Sequence, residues 1–565
     1  MRIVFWFTIL NIITAFKTPI TVSDYIIKRL EKEGIKHIFG YPGGANLHLL
    51  DKVSKSKMNL IVSRHEQWSG HSAEGYAKAL NKLSVCITTS GPGLTNVITP
   101  MQDCLSDGVP VLFISGQVST SALGKDSFQE CDAVSLTKAC TKWNKLITSE
   151  KEIVSSLESA IKIAQESKCG PVHLDICSDV LSQLVVSQDE EVNTEEVKVE
   201  HNRVDYDKIA KLVNTARRPL IIAGVGSSKA YKEIRALSKE YNIPVTTTLH
   251  GLGIVDESEE LSLKMLGMHG SAATNYAVQS ADLILGIGNR FDDRTIGKKT
   301  EFGSCAKTII HVDTNDKVKT PIEKLTSITA DSLEFVVNLR KLLEPRKRSK
   351  WVSKIKNLKE NFPFSYRKTD NLKVQDVIKE FSNKIQNKNY YVTTGVGNHQ
   401  MMTAQYITWN QPKRMITSGS LGTMGVGLPF AIGSYLATGC ETYCIDGDGS
   451  FMMSLSELAT IKNYNLPIKI LLMNDNSLQM VKVWQELFYD KNYVGVSEAN
   501  PEFTKLAESF GIKAIRCSNK DELSSTIEKV VNTNSPILCE FIVEQDICLP
   551  FVLPSKRLDD MLINN

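Results

Sequence analysis

The sequence lacks the cysteine and asparagine patterns of a secreted protein. Its 12 cysteines are scattered singly between Cys86 and Cys548, no C-x-x-C pair occurs, and no N-x-S/T glycosylation acceptor is present. In a chain of 565 residues, such spacing argues against a disulfide framework and against a zinc site. We therefore expect an intracellular protein that works in a reducing compartment, either the cytoplasm or an organelle such as a plastid.

A strong charge of one sign is also absent. The formal net charge is +3, with 23% charged, 7% aromatic and 42% hydrophobic residues, which is typical of a globular protein. No block of lysine and arginine coincides with a run of aromatic residues, so nucleic acid is not an expected partner. The one short basic run, Arg346–Lys350, lies in a polar stretch, and we interpret it as a solvated connector.

Long apolar runs are absent except at the N terminus, where Ile3–Phe16 is flanked by Arg2 and Lys17. This run is too short to span a bilayer comfortably but matches the core of a signal peptide. No small-residue cleavage site follows it, so two alternatives stay open: a targeting segment, or an extension that packs on the body. Neither alternative predicts a stable membrane span.

The chain is too long for a single hydrophobic core, and about 150 residues per domain predicts three or four domains. Short apolar strands that end in polar or glycine-rich loops alternate with helical patterns, which is typical of parallel sheets. We interpret the acidic stretch 185–205 and the lysine-rich stretch 346–373 as linkers. We therefore predict an α/β chain with three doubly wound domains, at 21–184, 205–343 and 374–545. An extension at 1–20 precedes them, and a tail at 546–565 follows.

The most informative stretch lies between residues 444 and 475. Gly447-Asp448-Gly449-Ser450 follows one predicted strand, and Asp475 ends the next. Because the carboxyl ends of parallel strands meet at the same edge of a sheet, both aspartates are expected to lie together. Carboxylate oxygens and a glycine-flanked turn suit Mg²⁺ shared with a diphosphate. Two ordinary turns are the alternative, which the second aspartate at the matching position disfavours.

This arrangement is the thiamine-diphosphate motif, and the chain resembles the catalytic subunits of acetolactate (acetohydroxyacid) synthases from about Thr21 to Ser555. The resemblance implies pyrimidine-binding, FAD-binding and diphosphate-binding domains, and the cofactors thiamine diphosphate, Mg²⁺ and FAD. It implies decarboxylation of pyruvate and transfer of the remaining two-carbon unit to pyruvate or 2-ketobutyrate, the first common step of branched-chain amino acid biosynthesis. Asp448, Asp475 and the carbonyl of Ser477 would hold the metal, although the family usually has asparagine at the second position.

Thiamine chemistry requires a carboxyl group that shares a proton with the aminopyrimidine ring. Glu66, in the string RHEQ followed by AEGYA, matches the glutamate that has this role in the family. The alternative is a glutamate that is favoured only by the helix dipole.

Further loops match the family in order. Gly44, Phe128 and Gln129 would face the substrate, and Trp484, in the string MVKVW, would favour 2-ketobutyrate as acceptor. The thiamine diphosphate contacts implied by the resemblance are Ser90, Gly91, Asn398, His399, Gly422, Met424, Gly449, Ser450 and Met480.

Three strings of the middle domain resemble the family's flavin site. The implied FAD contacts are Gly224, Gly226, Thr248, Leu249, His269, Gly270, Asp293, Arg294 and Asp313. The first domain departs from the family pattern at two places. Cys177-Ser178-Asp179 replaces the usual P-K-D, and Lys168–Pro171 replaces R-P-G-P. We expect these departures to alter substrate affinity rather than to abolish activity.

The resemblance also implies small 2-keto acids as substrates, a homodimer or homotetramer, and a small regulatory subunit as a partner. Two alternatives remain. The first is another thiamine-diphosphate enzyme, such as a pyruvate oxidase or a glyoxylate carboligase, which Trp484 and Glu66 disfavour. The second is a non-catalytic homologue, which would show a broken metal pair or a lost Glu66, and neither is seen.

Overall fold

The computed structural model describes residues 19–166, 168–185, 204–314, 322–497 and 499–563. The apolar run Ile3–Phe16, and most of the acidic stretch interpreted as the first linker, lie outside the described residues. Within these ranges, no helix is both long and apolar enough to cross a membrane.

The first unit is built on a sheet of six parallel strands. Numbered along the chain, they lie in the order second, first, third, fourth, sixth, fifth. The central strands are buried on both faces, as their runs of valine, isoleucine and leucine require. The strands are His37–Gly40, Asn59–Val62, Ser84–Thr88, Val111–Gln117, Trp143–Ile147 and Val172–Cys177. The main helices are Val22–Lys32, Leu47–Ser54, Glu66–Leu80, Ile98–Asp107 and Ile153–Gln165.

The third unit has the same strand order in its own six-stranded parallel sheet. The first and third units therefore share one architecture, which no repeat in the sequence displays. The strands are Tyr390–Thr394, Met415–Ile416, Glu441–Gly447, Lys469–Asn474, Lys513–Cys517 and Ile537–Ile542. The main helices are Val374–Ile385, Asn398–Tyr406, Gly427–Thr438, Glu457–Asn463, Gln479–Phe488, Phe503–Ser509 and Leu523–Val531.

The middle unit has six parallel strands in the order third, second, first, fourth, fifth, sixth. This is the order of dinucleotide-binding sheets. Together the three units confirm the prediction of an α/β chain with three parallel sheets. The strands are Pro219–Ala223, Val245–Thr247, Ser262–Met265, Leu283–Ile287, Thr308–Asp313 and Leu325–Thr329. The main helices are Tyr206–Thr215, Tyr231–Tyr241, Ala272–Ser280 and Ser332–Arg340.

The stretch 346–373, interpreted as a linker with a solvated basic run, is instead partly folded onto the middle unit. It contains the helix Ser349–Asn361, in which Trp351 is 2% exposed and donates its indole N–H to the carbonyl of Pro219 at 2.9 Å. Arg348 is buried and donates to the carbonyl of Val213 at 2.8 Å. Of the basic run only Arg348 is buried, whereas Arg346, Lys347 and Lys350 are exposed. The linker interpretation missed the packed helix because its apolar residues stand one helical turn apart among lysines.

The tail after residue 545 returns to the middle unit. The backbone N–H of Val552 donates to the carbonyl of Met268 at 2.8 Å, and Leu558 is buried in the middle core. Asp546, at the start of the tail, accepts a hydrogen bond from Lys373 Nζ at 2.9 Å. The tail is therefore an ordered connection between the third and second units.

The first and third units meet through two helices, Glu66–Leu80 and Gly427–Thr438. A Cβ atom on Gly75 would lie 2.7 Å from the Cα of Phe430, and one on Gly433 would lie 2.0 Å from the carbonyl oxygen of Ser72. Only glycine permits two backbones to approach this closely. Residues of both units also share one hydrophobic cluster at this contact.

Replacing Gly433→Ala should therefore destabilise the chain, although alanine is the better helix former by up to about 1 kcal/mol. Separating the two backbones should cost about 1–3 kcal/mol of unfolding free energy. Chemical denaturation of the variant beside the native chain measures this cost. Thr438→Ala, in the last turn of the same helix, serves as the control. A Gly433→Ala variant as stable as the native chain would contradict the close packing.

Candidate active site

In the first unit, the residues expected at the cofactor follow the carboxyl ends of neighbouring parallel strands. Gly44 follows the strand that ends at Gly40, Glu66 follows the strand that ends at Val62, and Ser90-Gly91 follows the strand that ends at Thr88. These strands are neighbours in one sheet, so the structure brings all of these residues to the same edge.

Glu66 is the first residue of the helix Glu66–Leu80 and is half-buried. Its carboxylate Oε2 accepts a hydrogen bond from Asn96 Nδ2 at 3.0 Å. The helix is capped by His65, whose Nδ1 accepts from the backbone N–H of Gln67 at 3.1 Å. Because the cap and Asn96 hold the first turn, the carboxylate has a defined direction at the edge of the sheet.

Phe128 and Gln129 lie in the loop after the strand Val111–Gln117. Phe128 is 88% exposed and Gln129 has a left-handed backbone, with φ of 60°. Gln117 anchors the end of this loop to the sheet. Its Nε2 donates to the carbonyl of Cys131 at 2.9 Å and to Asp175 at 2.8 Å. A large apolar ring with this exposure lacks a covering partner within the described chain.

In the third unit, Asp448 and Asp475 lie at the ends of two neighbouring strands, Glu441–Gly447 and Lys469–Asn474. Burial, and then the negative charge of Asp448, raise the pKa of Asp475 to about 7, and burial also raises the pKa of Asp448. Within the described residues neither carboxylate forms an ion pair with a side chain. A divalent cation would supply the missing positive charge, so the pair fits a metal.

The loops around this pair form a glycine-lined cradle. A Cβ atom on Gly395 would lie 2.0 Å from Asp446 Oδ1 and 2.1 Å from Ser450 Oγ. The backbone N–H of Gly425 donates to Ser450 Oγ at 2.9 Å, and His399 Nε2 lies 3.3 Å from Asp446 Oδ1. The cradle contains the residues expected at the diphosphate and the rings, each after a strand of this sheet: Asn398, His399, Gly422, Met424, Gly449, Ser450, Ser477 and Met480.

Trp484 lies on the helix Gln479–Phe488, which follows the loop of Asp475. It is half-buried, with its ring 5.3 Å from that of Phe488 and 6.4 Å from that of Phe551. Val483 is the one buried residue of this helix. Trp484 is therefore a partly open aromatic residue and does not belong to a hydrophobic core.

The residues expected at the flavin all lie at the carboxyl edge of the middle sheet. Gly224 and Gly226 follow the first strand, Thr248 and Leu249 the second, His269 and Gly270 the third, and Asp293 and Arg294 the fourth, while Asp313 ends the fifth. The first and fourth strands are neighbours whose connections lead in opposite directions, and ligands bind at such switch points.

At this edge two buried polar atoms are left for a ligand to satisfy. The buried Nδ1 of His269 and Oδ1 of Asn289 have no hydrogen-bond partner in the described chain. The His269 ring stacks on Phe551, with centroids 5.0 Å apart, and burial lowers the pKa of His269 to about 4. Asp293 and Arg294 are exposed. Unpaired buried polar atoms beside exposed charges are expected where a ligand supplies the missing partners.

The departure at Cys177-Ser178-Asp179 has a local structural role of its own. Asp179 accepts hydrogen bonds from the backbone N–H and hydroxyl of Thr120, at 2.9 and 2.6 Å. The backbone N–H of Ser178 donates to the carbonyl of Gln117 at 3.0 Å. This segment therefore anchors the start of the loop that carries Phe128, without a lysine side chain.

Two residues of the site escaped the sequence analysis. Asn500 Nδ2 donates to Asp448 Oδ2 at 2.7 Å and to Asn474 Oδ1 at 3.1 Å. Glu457 is fully buried, and its Oε1 accepts from the backbone N–H of Arg64 at 2.7 Å. A glutamate between the apolar residues Leu455 and Leu458 was the available signal for Glu457, but its partner lies in another unit.

Glu457 joins the third unit to the segment that carries Glu66. Tyr464, the residue that follows the helix Glu457–Asn463, accepts from the backbone N–H of Val62 at 2.9 Å. Burial raises the pKa of Glu457 to about 7, and its Oε2 lies without a partner near the hydroxyl groups of Ser63 and Thr460. Glu457 and Tyr464 together fix the strand end from which Glu66 projects.

Family models match each of the three units. The N-terminal thiamine pyrophosphate binding domain of thiamine pyrophosphate enzymes matches residues 20–136, the central domain matches 206–339, and the C-terminal thiamine pyrophosphate binding domain matches 395–541. The fold and the site thus define the class of thiamine-diphosphate enzymes.

Comparison with curated relatives identifies the family within this class. The chain is 39% identical to the mitochondrial acetolactate synthase of Schizosaccharomyces pombe, over 94% of this chain and 85% of that protein. It is 38% identical to the mitochondrial acetolactate synthase catalytic subunit of Saccharomyces cerevisiae, over 96% and 84%. It is 36% identical to the chloroplastic acetolactate synthase 2 of Nicotiana tabacum, over 96% and 85%. The chain belongs to the acetolactate synthase family.

Two substitutions of Glu457 test whether its acceptor oxygen positions the segment of Glu66. Glu457→Ala removes the acceptor of the Arg64 N–H, so we expect turnover to fall by about tenfold or more as the segment of Glu66 shifts. Glu457→Gln keeps an acceptor and should retain turnover within a few-fold. Steady-state kcat and KM of both variants measure this difference.

The pH dependence of stability provides a second readout for Glu457. Its folded-state pKa is raised, so the native carboxyl group lowers stability as the pH rises from its ordinary pKa to about 7. Glu457→Gln has no such group. The difference in unfolding free energy between this variant and the native chain should therefore shift in favour of the variant as the pH rises to about 7. Equal kinetics of the alanine and glutamine variants would contradict the positioning role.

Proposed function

We propose that this chain catalyses the acetolactate synthase reaction, in which pyruvate loses carbon dioxide and its remaining two-carbon unit is joined to a second 2-keto acid. The observation that carries the proposal is the carboxylate pair of buried Asp448 and half-buried Asp475 at one sheet edge, with Glu66 at the edge of a second sheet of the same architecture. The names of the relatives support this reaction.

The metal and diphosphate would be held by the third unit. Asp448, Asp475 and the carbonyl of Ser477 are the proposed Mg²⁺ ligands, because Mg²⁺ prefers oxygen ligands and shares them with phosphates. His399 and Ser450 would accommodate the diphosphate, and Gly395 lets the backbone approach Asp446 and Ser450 closely enough to hold this loop in place. Asn500 would keep Asp448 directed at the metal.

When bound, the thiazolium ring of thiamine diphosphate stabilises the negative charge that develops as a 2-keto acid loses carbon dioxide. Glu66 would hold a proton at its carboxylate against the aminopyrimidine ring and return it during the cycle. Gln129 and the backbone N–H of Gly44 would donate hydrogen bonds to the substrate oxygens. FAD would occupy the carboxyl edge of the middle sheet, where His269 and Asn289 have unpaired atoms.

Acetolactate formation from pyruvate, with and without thiamine diphosphate and Mg²⁺, tests the proposal directly. In the same assay, Glu66→Gln keeps the shape of the side chain but removes its acidic proton, so turnover should fall by roughly 10²-fold or more. Glu334→Gln, a glutamate in the first turn of a helix of the middle unit, is the matched control and should be unaffected.

Two outcomes would count against this assignment. Turnover of Glu66→Gln near that of the native chain would mean that another group activates the cofactor. A chain that binds thiamine diphosphate and Mg²⁺ but forms no acetolactate would indicate a different reaction of the same class, or a non-catalytic homologue.

We also propose that the active unit is at least a C₂ dimer, with each site formed by the first unit of one chain and the third unit of its partner. The 88% exposed ring of Phe128 supports this, because a second chain would cover it. In a dimer of Glu66→Gln and Asp448→Asn chains, one of two sites would contain both native residues. Coexpression of these inactive variants should therefore restore roughly a quarter of the native activity. No restoration would place both residues in the same chain.

The relatives named as catalytic subunits, and as mitochondrial or chloroplastic proteins, support two finer proposals. A small regulatory subunit would bind this chain, and the chain would act in an organelle. Copurification of a small subunit with the tagged chain, and microscopy of a fluorescently tagged full-length chain, test them. A tagged chain that purifies alone and stays outside organelles would contradict both.

Trp484 is proposed to select the acceptor. An indole face can contact the additional methyl group of 2-ketobutyrate, and one methylene in an apolar pocket contributes about 1–3 kcal/mol. Trp484→Leu should therefore lower the preference for 2-ketobutyrate over pyruvate by about tenfold, with acetolactate formation retained. Competition between the two keto acids, read as the product ratio, measures this. Tyr489→Leu, an exposed aromatic residue after the same helix, is the control, and an unchanged ratio for Trp484→Leu would refute the assignment.

A further inference from the structure

A cleft separates the edge of the middle sheet from the third unit. Its walls are the edge strand Ser262–Met265, the helices Val374–Ile385 and Asn398–Tyr406, and the segment 359–364. The cavity volume is about 450 Å³, which is the size of a small-molecule site. None of the residues proposed above for substrate, thiamine diphosphate, metal or flavin lines it.

The charged groups that line this cleft are three lysines and one glutamate. Lys264 Nζ lies 3.4 Å from Glu257, and within the described residues Lys359 Nζ donates only to the backbone carbonyls of residues 259 and 260. Lys379 has no carboxylate within ion-pairing distance in the described chain, and its Nζ lies over the ring of Tyr406 at 5.0 Å. The cleft therefore carries an excess of positive charge.

Partial desolvation makes this excess costly, although the side chain of Lys379 remains exposed. It lowers the pKa of Lys359 and of Lys379, and the positive charge of Lys264 lowers both further. Two polar atoms at the walls also lack a partner: Ser262 Oγ, on a residue 2% exposed, and Glu257 Oε1. Crowded, partly desolvated ammonium groups beside an unused hydroxyl donor are the complement of an anion.

The backbone of the edge strand directs Lys264 to its position. Val245 pairs with Ser262 and Thr247 with Met265, so the edge strand has an additional residue and forms a bulge. Lys264 occupies this bulge with a left-handed φ of 61°, and its carbonyl accepts from the hydroxyl of Thr246 at 2.7 Å. A non-glycine residue adopts this conformation at a cost, which the surrounding structure must compensate.

Aromatic side chains form the remaining wall. Phe364 and Tyr406 are in contact, with centroids 5.7 Å apart, and Phe362 lies on the same segment as Phe364. The wall offers an apolar surface to the body of a ligand, while the lysines receive its charged groups.

We propose that this cleft binds a small organic polyanion, with at least two negative charges on phosphate or carboxylate groups facing the three lysines and with its body against Phe364 and Tyr406. The ligand class is defined by the juxtaposition of Lys264, Lys359 and Lys379 with this aromatic wall. The two sources of such charge, phosphorylated and polycarboxylate compounds, are separated by experiment.

Calorimetric titration of the holoenzyme, saturated with thiamine diphosphate, FAD and excess Mg²⁺, tests the proposal. Pyrophosphate, adenosine diphosphate and citrate are the probes, and at least one should bind with a Kd below about 1 mM. Tighter binding of adenosine diphosphate or pyrophosphate indicates the phosphorylated class, and tighter binding of citrate indicates the polycarboxylate class.

Variants locate the binding. Lys379→Gln and Lys264→Gln each remove one charge and should weaken the tightest probe by about tenfold or more. Lys384→Gln, on the same helix but paired with Glu528 at 3.5 Å, is the control and should bind as the native chain does. Thermal unfolding shows whether each variant is folded, and Lys379, an exposed residue, is the substitution that the fold tolerates best. The proposal is overturned if no probe binds, or if Lys379→Gln and Lys384→Gln bind it equally well.

Discussion

The contact between the helices Glu66–Leu80 and Gly427–Thr438 holds the two catalytic units in register. Gly75 and Gly433 let the backbones touch, and the first helix begins at the proposed catalytic carboxylate. The second helix follows directly on the loop that contains Met424. Because both helices are rigid, their packing determines where each unit presents the carboxyl edge of its sheet. The positions of the loops at these edges therefore follow from the helix pair.

Desolvated carboxyl groups are the second constraint on the structure, and they occur both at the proposed metal site and between the first and third units. Asp448 and Asp475 lie close together in a desolvated site, which raises their pKa values and favours a cation between them. Glu457 is buried without an ion-pairing cation among the described residues, and burial raises its pKa as well. The first pair prepares a ligand site, whereas Glu457 connects two units through one backbone N–H. Similar electrostatics thus serve binding in one place and positioning in another.

The middle unit depends on segments that lie outside it in sequence. The helix Ser349–Asn361 packs on it through Trp351, and the tail returns to it through Val552. Lys359, near the end of that helix, borders the cleft that we propose as a polyanion site. The stretch around it was interpreted as a solvated linker because its lysines dominate the composition. Apolar residues one turn apart carry the packing, and a count of charges does not reveal them.

Local pattern in the sequence was sufficient to predict the three α/β units and the aspartates at two strand ends, whereas most of the other site residues were predicted from the family resemblance. A parallel sheet places the carboxyl ends of its strands on one edge, so the sequence alone assigns motifs such as Gly447–Ser450 and Asp475 to that edge. Only the tertiary structure revealed the common strand order of the first and third units, and the contact between Glu457 and Arg64. These features join residues hundreds of positions apart, and neither periodicity nor turn chemistry records which distant backbone meets which side chain.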